Sequence, residues 1–474
     1  MNRFHSLFVA FIIAVLLTGC YNTKPVAQSQ SIPAGNRQIV LETPKRPAGQ
    51  QDMINFEAPK LETVRVGFIG LGMRGPGAVE RFTHIPGTKV VALCDVRPER
   101  VEATQKILDK AGVARAAGYS GSLDAWKQLC DRDDIDLVYI VTDWVHHVPM
   151  ALYAMEKGKH VAVEVPAAMN MKDIWALINT SERTRKHCMM LENCVYDFFE
   201  LTTLNMAQNG VFGEILHTEG SYIHNLADFW KAYWNNWRLD YNQKHRGDVY
   251  PTHGIGPACQ LLDIHRGDKM NYLVSMDTKA VNGPEAWKQM KGSYPDKFAN
   301  GDHTMTMIRT ENGKTIQIQH NVVTPRPYSR MYQLTATKGF ANKYPVQGYA
   351  LEPSQVSSDV TPNHEDLNSH GFVPEDVKNA LMKKYKHRIH QELEEQAKKV
   401  GGHGGMDFIM DYRLVYCLRN GLPLDMDVYD LAEWSCLTEL SAISLENGSA
   451  PVQIPDFTRG GWNKIKGYRH AFVK

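Results

Sequence analysis

The 474-residue chain has no excess of charge of either sign: 53 basic residues stand against 52 acidic ones, a formal net charge of +1. No block of like charge breaks that balance, so the sequence offers no surface for a nucleic acid or for the headgroups of an anionic membrane. Cysteine is sparse and irregular, eight residues with no CxxC spacing. That excludes a disulfide framework and a zinc knuckle, and leaves the thiols as buried packing groups. HxH and HExxH patterns are missing as well, so the histidines present no metal-ligand set and no metal is expected. The long apolar run at Leu7 to Leu17 is too short to span a bilayer comfortably.

That run fits an export signal better. Arg3 supplies a basic start, and Leu17-Thr18-Gly19-Cys20 resembles a bacterial lipobox. Residues 1–20 are therefore expected to be a lipoprotein signal peptide. Cys20 would be the lipid-modified first residue of an exported, periplasmic or outer-membrane-associated protein. The lipid would be its only tie to a membrane; an ordinary anchor helix is the alternative. Residues 21–60 are rich in Gln, Pro, Ser, Asn and Thr without a hydrophobic period, which predicts a flexible tether. The remaining roughly 410 residues suffice for two or three domains at about 150 residues each.

Val64 to Ile69 is a short β-type run ending in Gly70-Leu71-Gly72-Met73-Arg74-Gly75, and a helical segment follows from Ala78. In that context GxGxxG marks a dinucleotide turn: a tight bend, a backbone open to a pyrophosphate, and close helix–sheet packing. The next strand, Val90 to Cys94, ends at Asp95. A carboxylate there accepts the ribose hydroxyls of NAD and repels a 2′-phosphate, although nearby Arg97 could soften the preference. Strands at Asp136–Val141, His160–Glu164 and Met189–Glu192 alternate with helical stretches. The pattern predicts an α/β fold, with an N-terminal Rossmann domain (61–193) built on a doubly wound parallel sheet. Ligands would gather at the strand ends: the glycine turn, Asp95, Thr142 to His147, Glu164 to Pro166 and Asn193.

At these residues the chain resembles the glucose-fructose oxidoreductase/inositol dehydrogenase (Gfo/Idh/MocA) superfamily, with two departures. Glu164-Val165-Pro166 stands where the superfamily has Glu-Lys-Pro, and Val249, not Asp, lies four residues before His253. Those departures fit one branch. The glycine turn, Trp144-Val145-His146-His147, Glu164-Val165-Pro166, the run Tyr250-Pro251-Thr252-His253-Gly254-Ile255-Gly256-Pro257 and Pro325 to Arg330 together resemble glycoside hydrolase family 109. That family contains NAD-dependent α-N-acetylgalactosaminidases. The segment His403-Gly404-Gly405-Met406-Asp407 is also similar to the family but acquires no role here.

The resemblance implies a glycosidase that departs from the usual paired-carboxylate route. The sugar is oxidised at C3, the ketone acidifies the C2 proton, the C1 substituent leaves, water adds, and the hydride returns. NAD would be tightly bound and recycled in each turnover. The implied catalytic residues are His253 and Tyr250, with Tyr196 a further candidate base. The implied cofactor residues are Gly70, Gly72, Met73, Arg74, Gly75 and Asp95, then Trp144, His147, Glu164, Val165 and Asn193. Tyr222, Arg238 and Tyr328 join Tyr250 and His253 as implied substrate contacts. Tyrosines suit this work because they offer a pyranose an apolar face and a hydroxyl.

Beyond residue 194 the pattern turns to strand-like runs, with a hairpin signal at Asn312-Gly313, followed by helical segments from Pro374. The pattern is similar to the second domain of the same superfamily, and the resemblance implies a substrate-binding α+β domain (194–474) with an open, mainly antiparallel sheet. In that superfamily the sheet often carries subunit contacts as well, so the resemblance allows a homo-oligomer. The aromatic run Phe229 to Trp237 reads as rim packing, with a sugar platform as the lesser reading. The expected partner is a glycan ending in N-acetylgalactosamine. A sugar oxidoreductase with net NAD turnover, and a silent lipid-anchored sugar-binding protein, are the competing readings.

Overall fold

The computed structural model describes residues 38–364 and 367–473. The expected signal peptide, Cys20 and residues 21–37 lie outside the described residues. The rest of the expected tether does not behave as one. Ile39 pairs with Val452, Arg46 meets Glu182 at 3.0 Å, and the buried Met53 donates its backbone N–H to Tyr429 Oη. The segment is polar on average, but its few apolar residues (Ile39, Leu41, Ile54 and Phe56) pack on the core, and Arg185 stacks over Phe56. Spaced anchors held along a preformed surface give the segment enough burial to fix it without a helical or strand period.

The first sheet is formed by β1 (Val64–Ile69), β2 (Thr88–Cys94), β3 (Ala117–Tyr119), β4 (Leu137–Ile140), β5 (His160–Val163) and β6 (Cys188–Met190). All pairs are parallel, in the order β3-β2-β1-β4-β5-β6. The crossing helices are α1 (Gly75–Thr83), α2 (Pro98–Lys110), α3 (Ala125–Cys130), α4 (Trp144–Glu156) and α5 (Met171–Thr184). β4 and β5 are buried along their whole length, as a sheet covered on both faces requires. The strand order reverses direction at β1 and β4, so the crevice lies at their carboxyl ends.

The second region begins with α6 (Phe198–Gln208), β7 (Ile215–Ile223), α7 (Trp237–Lys244), α8 (Thr252–Leu261), β8 (Met270–Asp277) and α9 (Asn282–Lys291). It continues through β9 (Thr304–Thr310), β10 (Thr315–Asn321), β11 (Tyr332–Ala336), β12 (Gly339–Asn342) and β13 (Gly348–Leu351). Helices α10 (Glu375–Lys384), α11 (Arg388–Val400), α12 (Met406–Asn420), α13 (Val428–Ser435) and α14 (Leu437–Glu446) precede β14 (Val452–Gln453). Eight strands run in the order β13-β12-β11-β7-β10-β9-β8-β14, antiparallel except for the β7–β10 pair. The first of the helical segments expected from Pro374 is divided in two at Tyr385 to His387, where His387 caps α11 through its side chain.

Helix α8 is pressed against β7 at two glycines. A Cβ on Gly220 would fall 2.3 Å from the carbonyl oxygen of Gly254, and one on Gly254 would fall 2.7 Å from the Ser221 nitrogen. This backbone contact sets the first turn of α8 beside Tyr222 and so builds one wall of the site.

Candidate active site

The glycine turn after β1 divides its labour. Gly70 has φ +93°, and a Cβ there would sit 2.5 Å from Val141 O; a Cβ on Gly75 would sit 2.1 Å from Gly70 O. Both are demanded by the fold. A Cβ on Gly72 would meet only the side chain of Arg100, so this position faces the crevice. The crevice, about 1300 Å³ measured to its open mouth, passes Gly70, Gly72, Met73 and Arg74, then Asp95, then Trp144 and His147, and ends at Glu164 and Val165. Every cofactor position expected from the sequence lines it except Gly75, which packs beneath the turn, and Asn193.

Asp95 is held by accepting the backbone N–H of Leu71 (2.8 Å) and of Arg97 (2.9 Å). The Arg97 side chain is turned to Glu99 (2.6 Å) instead of the crevice. The open glycine, the amides at the head of α1 and a fixed carboxylate fit a dinucleotide with free ribose hydroxyls. His147 is buried with Nδ1 2.9 Å from Pro166 O and Nε2 3.1 Å from Thr142 O, so its polar atoms brace the floor of the crevice. Trp144 donates Nε1–H to Val165 O at 3.1 Å.

The opposite wall comes from the second region, through Tyr233, Trp234, Trp237, Arg238 and Tyr250. Tyr250 Oη lies 3.3 Å from His253 Nε2, across one turn at the start of α8. Pro251 stands as the residue before that helix, so it does not keep the two side chains apart. The Tyr222 ring is 4.5 Å from that of Tyr250 and 5.4 Å from that of His253. Tyr222 Oη is 3.1 Å from His224 Nδ1, and His224 meets the half-exposed Tyr328 at 5.1 Å. The structure thus brings the five expected substrate residues into one patch that adjoins the crevice at Tyr250 and Arg238.

Burial, with Arg330 adding to it, lowers the His253 pKa to about 4, so the imidazole is neutral near pH 7. Burial raises Tyr250 well above the usual phenol value, so it rests protonated. His224 is likewise lowered to about 4, by burial and then by Arg238.

Tyr196 does not join them. It is 0% exposed and its hydroxyl is bonded to Asp425 at 3.0 Å. The short 3₁₀ turn Asn193–Tyr196 carries it away from the crevice and into the C-terminal helices. Asn193 is buried, with Nδ2 donating to Asp407 (2.6 Å) and Oδ1 accepting from Arg330 (3.3 Å). It ties the second region to the Rossmann domain from behind the wall.

Several polar residues at the site were not singled out from the sequence, among them Arg100, which lines the crevice 3.9 Å from Asp95. Arg330 lies beside Cys194 and Asn193, Glu192 meets His253 Nδ1 at 2.7 Å, and Asp407 receives Arg74 at 3.1 Å. Arg330 and Asp407 sit in quoted motifs, and Glu192 ends a strand where ligands gather, so those were the available signals. Asp407 and His403 (3.0 Å from Arg74) show that the His403–Asp407 segment braces the nucleotide turn. In the Phe229–Trp237 run Trp230 is buried packing, while the 44%-exposed Trp234 lines the crevice mouth. Glu192, Cys194 and His253 place three ligand atoms within 4.8 Å of one another. The Arg330 guanidinium at 3.0 Å from Cys194 Sγ already puts a positive charge there, and burial keeps the thiol protonated, so the set does not suit a metal ion.

Residues 64–192 match the oxidoreductase family with an NAD-binding Rossmann fold, and residues 196–464 match the C-terminal domain of glycosyl hydrolase 109. The chain is 73% identical over 438 residues to glycosyl hydrolase family 109 protein 1 of Bacteroides fragilis, covering 92% of this chain and 94% of that one. It is 68% identical over 469 residues to the protein of the same name from Phocaeicola vulgatus, covering 99% of each. Among solved structures it resembles a levoglucosan dehydrogenase in complex with NADH and L-sorbose, with TM-score 0.60, 17% identity, and 84% and 100% coverage. It also resembles the Lactobacillus casei myo-inositol dehydrogenase in complex with NAD(H) and myo-inositol, with TM-score 0.52, 17% identity, and 84% and 99% coverage. At such identity the structural likeness shows the fold alone. The chain belongs to glycosyl hydrolase family 109, a glycosidase family built on an NAD-binding oxidoreductase fold.

Proposed function

We propose that the protein releases terminal N-acetylgalactosamine, α-linked, through oxidation at C3, elimination across C1–C2, addition of water and re-reduction. The observation that supports this most is the patch itself. A buried neutral imidazole, a phenol 3.3 Å from it and a guanidinium adjoin the dinucleotide crevice. Bound NAD would supply the reversible acceptance of hydride from C3.

His253 rests in its base form and is assigned the proton of the C3 hydroxyl. Tyr250 is assigned the C2 proton. It takes that proton as a phenolate: once His253 has passed the C3 proton to solvent, the phenol O–H proton of Tyr250 moves to Nε2, 3.3 Å away, and Arg238, 4.4 Å from the ring centre, offsets the phenolate charge against the burial that opposes it. Tyr222 and Tyr328 offer the pyranose an apolar face and hydroxyls. Val165, buried where the related dehydrogenases carry a lysine, leaves the crevice without an ammonium at that point.

The cofactor would leave each turnover as it entered, so a retained NAD suffices outside the cytoplasm. That agrees with the proposed lipid anchor at Cys20, which is tested by the loss of membrane association in Cys20→Ala. The experiment for the reaction is turnover of an aryl α-N-acetylgalactosaminide by purified protein without added nicotinamide. Many aglycones released per protein with no accumulating NADH supports the proposal. One NADH formed for each sugar consumed would establish a net oxidoreductase in its place.

A further inference from the structure

Beyond β6 the chain runs through Leu191 to Glu192, whose side chain is wholly inaccessible to solvent. One oxygen, Oε1, has two partners: the backbone N–H of Cys194 at 3.0 Å and Nδ1 of His253 at 2.7 Å. The backbone contact fixes where this oxygen stands, before any side chain rearranges. On the far side of the imidazole, Nε2 looks at Tyr250 Oη. Carboxylate, imidazole and phenol therefore form one buried chain from the end of the Rossmann sheet into the substrate patch.

An ionised carboxylate can only accept hydrogen bonds. Burial works against its charge, but His253 and the Cys194 N–H outweigh it, and the Glu192 pKa lies below the ordinary value. The nitrogen facing Glu192 must then carry the imidazole proton, which leaves the lone pair on the nitrogen facing Tyr250 and the substrate patch. The other charged or titratable groups bearing on this ring are Arg330 and His403, which disfavour the imidazolium, and the neutral Tyr250, Tyr222 and Cys194 thiol. Glu192 is the one group among them that favours a positive ring.

We propose that Glu192 is a positioning residue that holds His253 as the Nδ1–H tautomer, so that Nε2 is the proton-accepting atom, and offsets the charge of the imidazolium once formed. The step is a proton transfer: the O–H bond of the donor hydroxyl breaks, an Nε2–H bond forms, and Nδ1–H stays on Glu192. No electrons leave the sugar in it. The catalytic consequence rests on the role given to His253 above, while the tautomer does not.

The test uses the full-length protein with its cofactor, labelled with ¹⁵N-histidine, the His253 signals being assigned by their loss in His253→Gln. Expected is a protonated shift for Nδ1 and an unprotonated one for Nε2, without any substrate present. Glu192→Gln, whose amide oxygen can take the place of Oε1, should keep that tautomer but lower the His253 pKa and reduce kcat about tenfold with KM little changed. Glu192→Leu should abolish the tautomer preference and reduce kcat about a hundredfold. An unprotonated Nδ1 in the parent protein, or a His253 pKa unmoved in Glu192→Gln, overturns the proposal. If Glu192→Leu does not fold, the Gln variant still decides it. If the tautomer shifts as expected and kcat does not, the catalytic half of the proposal fails. If no glycoside is cleaved by any form, the spectra still report on Glu192, and it is the proposed reaction that fails.

Discussion

The guanidinium of Arg238 lies 4.4 Å from the centre of the Tyr250 ring while its Nη1 donates to Tyr233 Oη at 2.7 Å. The same group is within 6 Å of the Trp144 and Tyr222 rings, so one buried cation is enclosed by four aromatic side chains from both halves of the site. A desolvated cation–π contact is worth about 2 kcal/mol, and the charge would gain value with the phenolate of the proposed reaction. Arg238→Met should keep the fold and lower kcat/KM by roughly thirtyfold, on the conversion of that energy at 25 °C. Steady-state kinetics with an aryl glycoside measures it. An unchanged kcat/KM would remove Arg238 from the reaction.

Two glycines should fail in different ways. Gly72→Ala meets only a flexible arginine end, so the cofactor-free protein should melt like the parent yet gain less stability when NAD is added. Gly254→Ala drives a methyl group into the backbone of β7, at a cost of about 1–3 kcal/mol. Thermal melts with and without NAD separate the two effects. Equal loss of intrinsic stability in both variants would contradict the assignment of Gly72 to the crevice.

Tyr196→Phe distinguishes packing from catalysis. Removing a hydroxyl bonded to Asp425 should cost about 1 kcal/mol, because Arg413 still pairs with that carboxylate at 2.7 Å. Activity should stay within about twofold, where loss of a catalytic base would cost 10²-fold or more. A hundredfold fall in kcat in a stably folded variant would return Tyr196 to the active site.

His160 gives the pH dependence a clear sign. Burial, with Lys186 adding to it, lowers its pKa to about 3, against about 6.5 in an unfolded chain. Between those values the unfolded chain binds the extra proton, so stability is complete above about pH 6.5 and falls as the pH drops. At pH 5 the gap of 1.5 units corresponds to about 2 kcal/mol. His160→Asn, which can still accept the His187 N–H, should therefore lose about 2 kcal/mol less than the parent between pH 7 and pH 5 in urea unfolding. An identical loss in both proteins would contradict a neutral, buried His160.

The Rossmann half was legible because its signals are local: a strand, three glycines and a carboxylate follow one another between Val64 and Asp95. The second sheet was legible in kind but not in order, since β7 pairs with β10 and β11 across about a hundred residues of intervening chain. Tyr250 and His253 could be joined from the sequence because one helical turn separates them. Glu192 could not, being 61 residues from the imidazole it meets. Tyr196 was misplaced for the complementary reason. It follows a strand end closely, but a 3₁₀ turn aims it at Asp425, 229 residues away. The segment from Gln38 to Lys60 misled through its composition, because average polarity hides a few well-spaced apolar anchors.

In the proposed reaction the C2–H bond breaks although the net outcome is a hydrolysis. The most direct measurement is the isotope at C2 of the sugar released from an aryl α-N-acetylgalactosaminide in deuterated water, without added NAD, beside the rate for a C2-deuterated substrate. The proposed elimination should place deuterium at C2 of the product and slow release from the deuterated substrate. Release with hydrogen retained at C2 and no isotope effect on the rate would contradict it.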